Sequence, residues 1–263
     1  MNIKPVLRYQ LRANFQIFSK VYGIIYTLLL ITVIFRYSSP NGAGDASGIE
    51  IWTMITIFIA GLVLFKSAFR FFSSYGVSRK RLFCGLTAAL VITAAAVSAL
   101  DMINTAVFSH FIRYNTFYEQ TIGAVAGSRS NVSGIGVLST PGAGGIVLFV
   151  PTVSLLLKNW LWCLLADFAF GMLGFLIAAL YYRMWKTLKI CVSVGVPGAL
   201  VALIQLDQNV AGGRISAAVG DFMVNWTHWG TNPGLDLVTR LVPIALFAGC
   251  IWLLLRKAEV KAG

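Results

Sequence analysis

The sequence predicts an all-α protein, a polytopic membrane bundle of six transmembrane helices that forms a single domain over residues 1–263. Its composition is 58% hydrophobic and only 11% charged, whereas soluble domains carry about a quarter charged residues. Six apolar segments are long enough to cross the hydrocarbon core of a bilayer. The cations cluster between those segments, which is typical of membrane topology and unlike a nucleic-acid-binding groove. We therefore expect the lipid bilayer, and no nucleic acid, as a partner.

The membrane spans follow from the need for about 20 mostly apolar residues per crossing. Their approximate bounds are 17–37, 50–71, 84–108, 159–182, 189–206 and 237–255, and the outer loops between them cover 38–49, 109–158 and 207–236. A seventh apolar stretch, 144–157, is too short to cross and fits a re-entrant or interfacial helix better. Trp226 and Trp229 favour the headgroup level, so the loop 207–236 is predicted to dip into the outer leaflet.

The distribution of cations predicts the orientation. With both termini in the cytoplasm, the inner segments hold 15 of the 21 Lys and Arg residues, and Glu259 is the only acid among them. Cytoplasmic segments of membrane proteins carry this excess of positive charge. The first long apolar run begins near residue 21 and no small-residue cleavage site closes it, so we expect no cleavable signal peptide.

The N-terminal segment, residues 3–20, has the periodicity of an amphipathic helix. Five apolar residues share one face: Ile3, Leu7, Leu11, Phe15 and Phe18. A polar row follows at i, i+4 spacing about a quarter-turn away: Arg8, Arg12, Gln16 and Lys20. This pattern predicts an interfacial helix over 3–18 that lies along the inner membrane surface. The alternative is a basic leader before the first span.

The inner turn between the second and third spans, residues 71–85, reads FFSSYGVSRKRLFCG. Gly76 is suited to the left-handed conformation that ends a helix, and Ser78 is suited to cap the next one. The Gly-Val-Ser run then presents Arg79, Lys80 and Arg81 at a tip facing the cytoplasm. Such a tip is either a topological anchor or a docking surface for a partner with an acidic groove.

The pattern Gly76-x-Ser78-Arg79-x-x-x-Phe83-x-Gly85 on this turn resembles the membrane (permease) subunits of type-2 ABC (ATP-binding cassette) exporters. The resemblance extends to the N-terminal helix, the cytoplasmic termini and the predicted re-entrant segment before the last span. In that family the inner turn is a coupling helix that fits a cleft in the ATPase subunit. The resemblance therefore implies ATPase contacts at five positions: Gly76, Ser78, Arg79, Lys80 and Phe83.

The resemblance also implies the partners and the location of the protein. The chain contains no G-x-x-x-x-G-K-[ST] phosphate-binding loop, so ATP and Mg²⁺ are expected on separate ATPase chains. A second permease subunit, identical or different, would complete the transporter in a bacterial-type inner membrane. The chain itself would hold no cofactor and export a hydrophobic or amphipathic substrate such as a peptide, drug or lipid.

Two acids lie inside predicted spans, Asp101 in the third and Asp167 in the fourth. An intramembrane carboxylate costs about 2.5–3.5 kcal/mol on insertion scales and commonly marks a functional site. Each acid is either part of a substrate route or a proton-binding group, or it is a carboxyl bonded to a neighbouring helix. Asp101 has a third possibility, contact with water at the outer leaflet.

An intramembrane enzyme is disfavoured because both aspartates lack the G-x-G-D context of aspartyl proteases and no H-E-x-x-H motif is present. The four cysteines lack metal-ligand spacing and are predicted to be packing residues. We therefore expect no catalytic residue and no metal. Two alternatives to the exporter remain, a six-span solute-binding membrane module and a non-transporting scaffold.

Small residues predict close contacts between helices. Gly174 and Ala178 in the fourth span have the small-x-x-x-small spacing that allows two backbones to approach. The same spacing serves packing within one bundle or at a dimer interface.

Overall fold

The computed structural model describes residues 4–38, 45–47, 49–111, 113–116, 118, 136–138, 148–150, 152–185 and 233–256, with isolated positions from 188 to 218. Its long helices are α1 (Lys4–Ser38), α2 (Ile49–Ser74), α3 (Arg79–Phe108), α4 (Val153–Arg183) and α5 (Pro233–Arg256). Four three-residue strands lie between helices: β1 (Asp45–Ser47), β2 (Arg113–Asn115), β3 (Gly136–Leu138) and β4 (Leu148–Val150). Strands β1 and β2 pair in parallel, and β3 and β4 pair antiparallel.

The membrane-type helical architecture is confirmed. Among the described residues, five helices are long and apolar enough to cross a membrane. They correspond to the first, second, third, fourth and sixth predicted spans. The fifth predicted span, 189–206, lies largely outside the described residues, as does most of the outer segment 207–236, so the six-span count stays a prediction.

The helices pack as a bundle in which α4 contacts α2, α3 and α5, while α1 packs on α2 and α3. At one end, Tyr9 of α1 stacks on Phe71 of α2, and Phe69 of α2 contacts Tyr182 of α4. We call this the turn end, because it holds the α2–α3 turn. The opposite end, where α2, α4 and α5 begin, is called the loop end.

The contact between α2 and α4 depends on glycines. A Cβ placed on Gly61 would lie 2.8 Å from the carbonyl oxygen of Gly171, and one on Gly174 would collide with the carbonyl oxygen of Phe58. Without side chains there, the two backbones approach closely enough for van der Waals contact along this line. Gly174, one of the small residues identified from the sequence, thus packs within the chain.

The N-terminal segment differs from the prediction. Residues 4–38 form one uninterrupted helix of 35 residues, about 52 Å long at 1.5 Å per residue, so the segment is continuous with the first span and is not a separate interfacial helix. Its buried side chains are Val6, Gln10, Asn14 and Phe18. Phe15, predicted on the apolar face, is 74% exposed.

The physical reason is a polar contact that hydrophobic periodicity does not detect. Asn14 donates from Nδ2 to Oγ1 of Thr93 in α3 at 2.8 Å, and both side chains are buried. Because two buried polar groups satisfy each other there, the face that carries Asn14 turns towards the bundle, while Arg8, Arg12 and Lys20 are exposed.

The stretch 144–157 also differs from the prediction of a re-entrant or interfacial helix. Its described residues are strand β4 and the first turn of α4, which begins at Val153. Pro151 stands between them in sequence, and a proline biases the preceding residue towards extended conformations and favours the start of a helix after it. Lys158 therefore lies inside α4 and does not precede it.

Candidate functional site

The α2–α3 turn is built on a helix-ending hydrogen-bond pattern. Gly76 has a φ of 69°, in the left-handed region that glycine adopts without a steric penalty. Its N–H donates to the carbonyl of Ser73 at 3.2 Å, and the N–H of Val77 donates to the carbonyl of Phe72 at 3.1 Å. These two bonds define a Schellman motif, in which the backbone stops the helix. The helix stop predicted at Gly76 is present.

The next helix starts at the predicted position but without the predicted side-chain bond. Ser78 is the N-cap of α3, with extended backbone angles of φ −60° and ψ 142°, and its hydroxyl makes no capping hydrogen bond. Its carbonyl accepts the first helical bond, from the N–H of Leu82 at 3.0 Å. The Ser78 hydroxyl, on an exposed residue, is consequently directed to the surroundings of the turn.

The three cations of the turn form an exposed tip on a buried base. Arg79, Lys80 and Arg81 are all exposed, whereas Leu82 directly after them is 1% exposed within the core. Phe83 is half-buried, and its ring centroid lies 5.7 Å from that of Trp252 in α5. The hydrophobic base fixes the cations in place relative to the bundle.

The turn is joined to the end of α5 by a hydrogen bond. Arg79 donates from Nη1 to the backbone carbonyl of Arg256, the last residue of α5, at 2.6 Å. The carbonyls at a helix C-terminus lack intrahelical partners and carry partial negative charge, so a guanidinium is favoured there. Arg79 and Phe83, both predicted to contact another subunit, thus have contacts within the chain as well.

Sequence reasoning missed an aromatic group beside the tip. Tyr9 of α1 stacks on Phe71 at 5.5 Å with nearly parallel rings, and Phe71 contacts Tyr75 at 4.8 Å. Tyr75 is 70% exposed. The signal available in the sequence was the run of aromatic residues directly before Gly76, which lacks any clear periodicity.

A second site lies inside the bundle around Asp101. Its Oδ1 accepts a hydrogen bond of 2.8 Å from the Tyr22 hydroxyl of α1, and its Oδ2 accepts one of 2.8 Å from the Thr53 hydroxyl of α2. All three side chains are buried. Asp101 therefore links α1, α2 and α3, which fits the interpretation of a carboxyl bonded to neighbouring helices and excludes contact with bulk water.

Asp167 in α4 lacks such partners. It is completely buried, and neither of its carboxyl oxygens has a hydrogen-bond partner in the described part of the chain. Asp101 and the equally buried Glu50 lie within electrostatic range of it. A buried polar group without a partner costs stability, so Asp167, unlike Asp101, does not link helices through hydrogen bonds in the described part of the chain.

The loop end carries a polar and aromatic cluster that sequence reasoning also missed. Asn159 of α4 accepts from the backbone N–H of Tyr118 at 3.1 Å, and the Tyr118 ring meets Trp162 edge-on at 5.4 Å. The guanidinium of Arg240 in α5 lies 4.8 Å from the centre of the Trp162 ring. Burial raises the pKa of the Tyr118 phenol. The cluster joins α4 and α5 to the chain that follows α3.

Within the described ranges, no group of three or more His, Cys, Asp and Glu side chains is arranged to hold a metal ion. All four cysteines are free thiols; Cys163 is buried, while Cys84, Cys191 and Cys250 are exposed.

No protein-family model, curated protein or solved structure matches this chain. Its function is therefore inferred from its own residues and from the resemblance of the inner turn.

Proposed function

We propose that the chain is the membrane permease subunit of an ABC exporter and is powered by separate ATPase subunits that bind ATP and Mg²⁺. The observation that carries the proposal is the α2–α3 turn, where three exposed cations stand on a buried base between a Schellman stop and a new helix. A topological anchor requires only the positive charges. A contact that transmits force requires the charges and a fixed backbone geometry, and the α2–α3 turn has both features.

The contacts of the turn provide a route for that force. A push on the tip reaches α5 through the bond from Arg79 to the Arg256 carbonyl and through the contact of Phe83 with Trp252. In the proposed mechanism, ATP-driven closure of two ATPase subunits moves the turn and rocks the helices between inward-open and outward-open arrangements. Gly76 and Ser78 shape the turn, and Lys80 and Arg81 meet acidic groups on the ATPase.

The proposed location is a bacterial-type inner membrane, with both termini and the turn end in the cytoplasm. Support comes from the excess of Lys and Arg in the segments assigned to that side. The translocation pathway would pass Asp167, whose buried oxygens have no partner among the described residues. The cargo is a hydrophobic or amphipathic molecule, and a second permease subunit completes the pathway.

The test is capture of the ATPase by the basic tip. The full-length chain is co-expressed with the ATPase encoded nearest to it and purified in mild detergent. Charge reversal by Lys80→Glu together with Arg81→Glu is expected to lower the co-purified ATPase about tenfold or more, since paired charges at an interface contribute roughly 1.5 kcal/mol or more. Arg8→Glu, an exposed cation of α1, is the matched control and should retain the ATPase.

Two outcomes would contradict the proposal. In one, no ATPase co-purifies with the native chain, as expected for a solute-binding module or a scaffold. In the other, a cysteine at position 78 in a chain lacking its four native cysteines reacts with a membrane-impermeant reagent added from the periplasmic side.

A further inference from the structure

An open cavity of about 630 Å³ lies at the turn end of the bundle, beside the end of α4. Its lining residues are Leu180, Arg183, Met184, Trp185, Leu188, Cys191 and Leu254. The volume falls in the range of about 300–1,000 Å³ that is usual for small-molecule sites. The α2–α3 turn does not contribute to it, and the proposed transport mechanism does not require it.

The lining is apolar except for one guanidinium. Arg183 is exposed and makes no hydrogen bond or ion pair in the part of the chain that the structure describes, and the lining contains no acid. Arg183 therefore makes the lining cationic. A guanidinium with free donors is well suited to bind the oxygens of a phosphate.

The position of the cavity fits the membrane surface. Trp185 is 80% exposed, and tryptophan together with basic residues at the end of a spanning helix favours the headgroup level. On its inner side Leu254 also lines a much smaller space with Phe65 and Tyr182, so the wall of the cavity nearest the bundle is apolar.

A hydrogen bond lies next to the cavity lining. The Tyr181 hydroxyl of α4 and the Ser193 hydroxyl lie 3.0 Å apart. Tyr181 follows Leu180 directly, and Ser193 lies two residues after Cys191, so the bond links the two segments that supply these lining residues.

We propose that this cavity binds one anionic phospholipid from the adjacent leaflet. Its phosphate contacts Arg183, and one acyl chain lies against Leu180 and Leu254. A zwitterionic lipid fits less well because its terminal cation is repelled by Arg183. A water-soluble phosphate ester lacks the chain that fills the apolar volume. The site needs no ATPase partner, so it stands whether or not the chain is a transporter.

The test is native mass spectrometry of the full-length chain in mild detergent, titrated with phosphatidylglycerol and phosphatidylcholine that carry the same acyl chains. The native chain should retain one phosphatidylglycerol with a preference of about tenfold, which is the scale of one charge-assisted hydrogen bond. Arg183→Gln should abolish the preference. Arg70→Gln, which removes an exposed cation of α2 outside the cavity, should leave it unchanged.

A second variant tests the apolar part of the site. Leu188→Trp fills the cavity and should lower the retention of both lipids. Its unfolding temperature should stay within a few degrees of that of the native chain, which shows that the loss of lipid does not come from unfolding. Equal retention of the two lipids, or an equal loss in Arg183→Gln and Arg70→Gln, would overturn the proposal. If glycerol 3-phosphate competes with the lipid, the site binds a soluble anion, and the proposal is wrong. If Leu188→Trp changes the oligomeric state, the cavity is filled by a second copy of the chain, and the proposal is also wrong.

Discussion

Arg79, the first residue of α3, donates from Nη1 to the carbonyl of Arg256, the last residue of α5, at 2.6 Å. The two residues are 177 positions apart in sequence. The bond ties the α2–α3 turn to the C-terminal end of α5 at the turn end of the bundle. The cations of the tip therefore differ. Arg79 forms a hydrogen bond within the chain, whereas the exposed side chains of Lys80 and Arg81 are proposed to bind the partner.

Arg79→Gln is expected to weaken coupling without abolishing partner capture. The shorter neutral side chain loses the charge-assisted bond to the Arg256 carbonyl, while Lys80 and Arg81 keep their charges. ATPase co-purification should fall less than threefold, and hydrogen exchange at the C-terminal turn of α5 should become faster. Arg79→Lys keeps a cation near the helix end and should restore part of the protection. Unchanged exchange in Arg79→Gln would show that the bond does not hold α5.

Gly174→Ala is expected to destabilise the bundle by about 1–3 kcal/mol, the usual cost of overpacking a close contact. The added methyl group meets the backbone carbonyl of Phe58, which has no rotamer with which to avoid it. Gly249→Ala is the control, because a Cβ there meets nothing within 4 Å, and replacing a helical glycine stabilises by roughly 0.5–1 kcal/mol. Unfolding in detergent measures both. Equal effects of the two substitutions would refute the close approach of α2 and α4.

Tyr22→Phe is expected to cost about 1–3 kcal/mol because it leaves one oxygen of Asp101 buried without its hydroxyl donor. Tyr26→Phe is the matched control, since the Tyr26 hydroxyl makes no hydrogen bond to the described residues and its side chain is 37% exposed. In the background Asp101→Leu, which removes the acceptor, the same Tyr22→Phe change should cost less than half as much. If Tyr22→Phe costs the same free energy of unfolding in the native chain and in Asp101→Leu, Tyr22 and Asp101 do not interact directly.

The sequence predicts features that depend on local chemistry and apolar length. The span in α2 matches to within about three residues, because a long apolar run is a strong signal. Gly76 takes the predicted left-handed conformation because few other residues adopt it without strain.

Features that depend on contacts distant in sequence are not predictable in this way. The buried face of α1 follows from the pairing of Asn14 with Thr93, 79 positions away. A search for apolar periodicity assigns that asparagine to the solvent side. The bond of Arg79 to Arg256 cannot be predicted from the sequence either, since its acceptor is a backbone carbonyl that any residue supplies. Asp101 and Asp167 look alike in sequence, and only their neighbours distinguish a bonded carboxyl from one without partners.

Asp167→Leu is expected to raise stability and to abolish transport. A buried carboxyl without hydrogen-bond partners costs free energy, so an apolar side chain of similar size should increase the free energy of unfolding by about 1–3 kcal/mol. If Asp167 lies on the translocation pathway, the same change removes its polar group and substrate-stimulated ATPase activity falls to the basal rate. Asp101→Leu should instead destabilise the bundle, because it removes the carboxylate that joins the Tyr22 hydroxyl of α1 and the Thr53 hydroxyl of α2 to α3. A stabilised Asp167→Leu chain with native transport would remove Asp167 from the pathway.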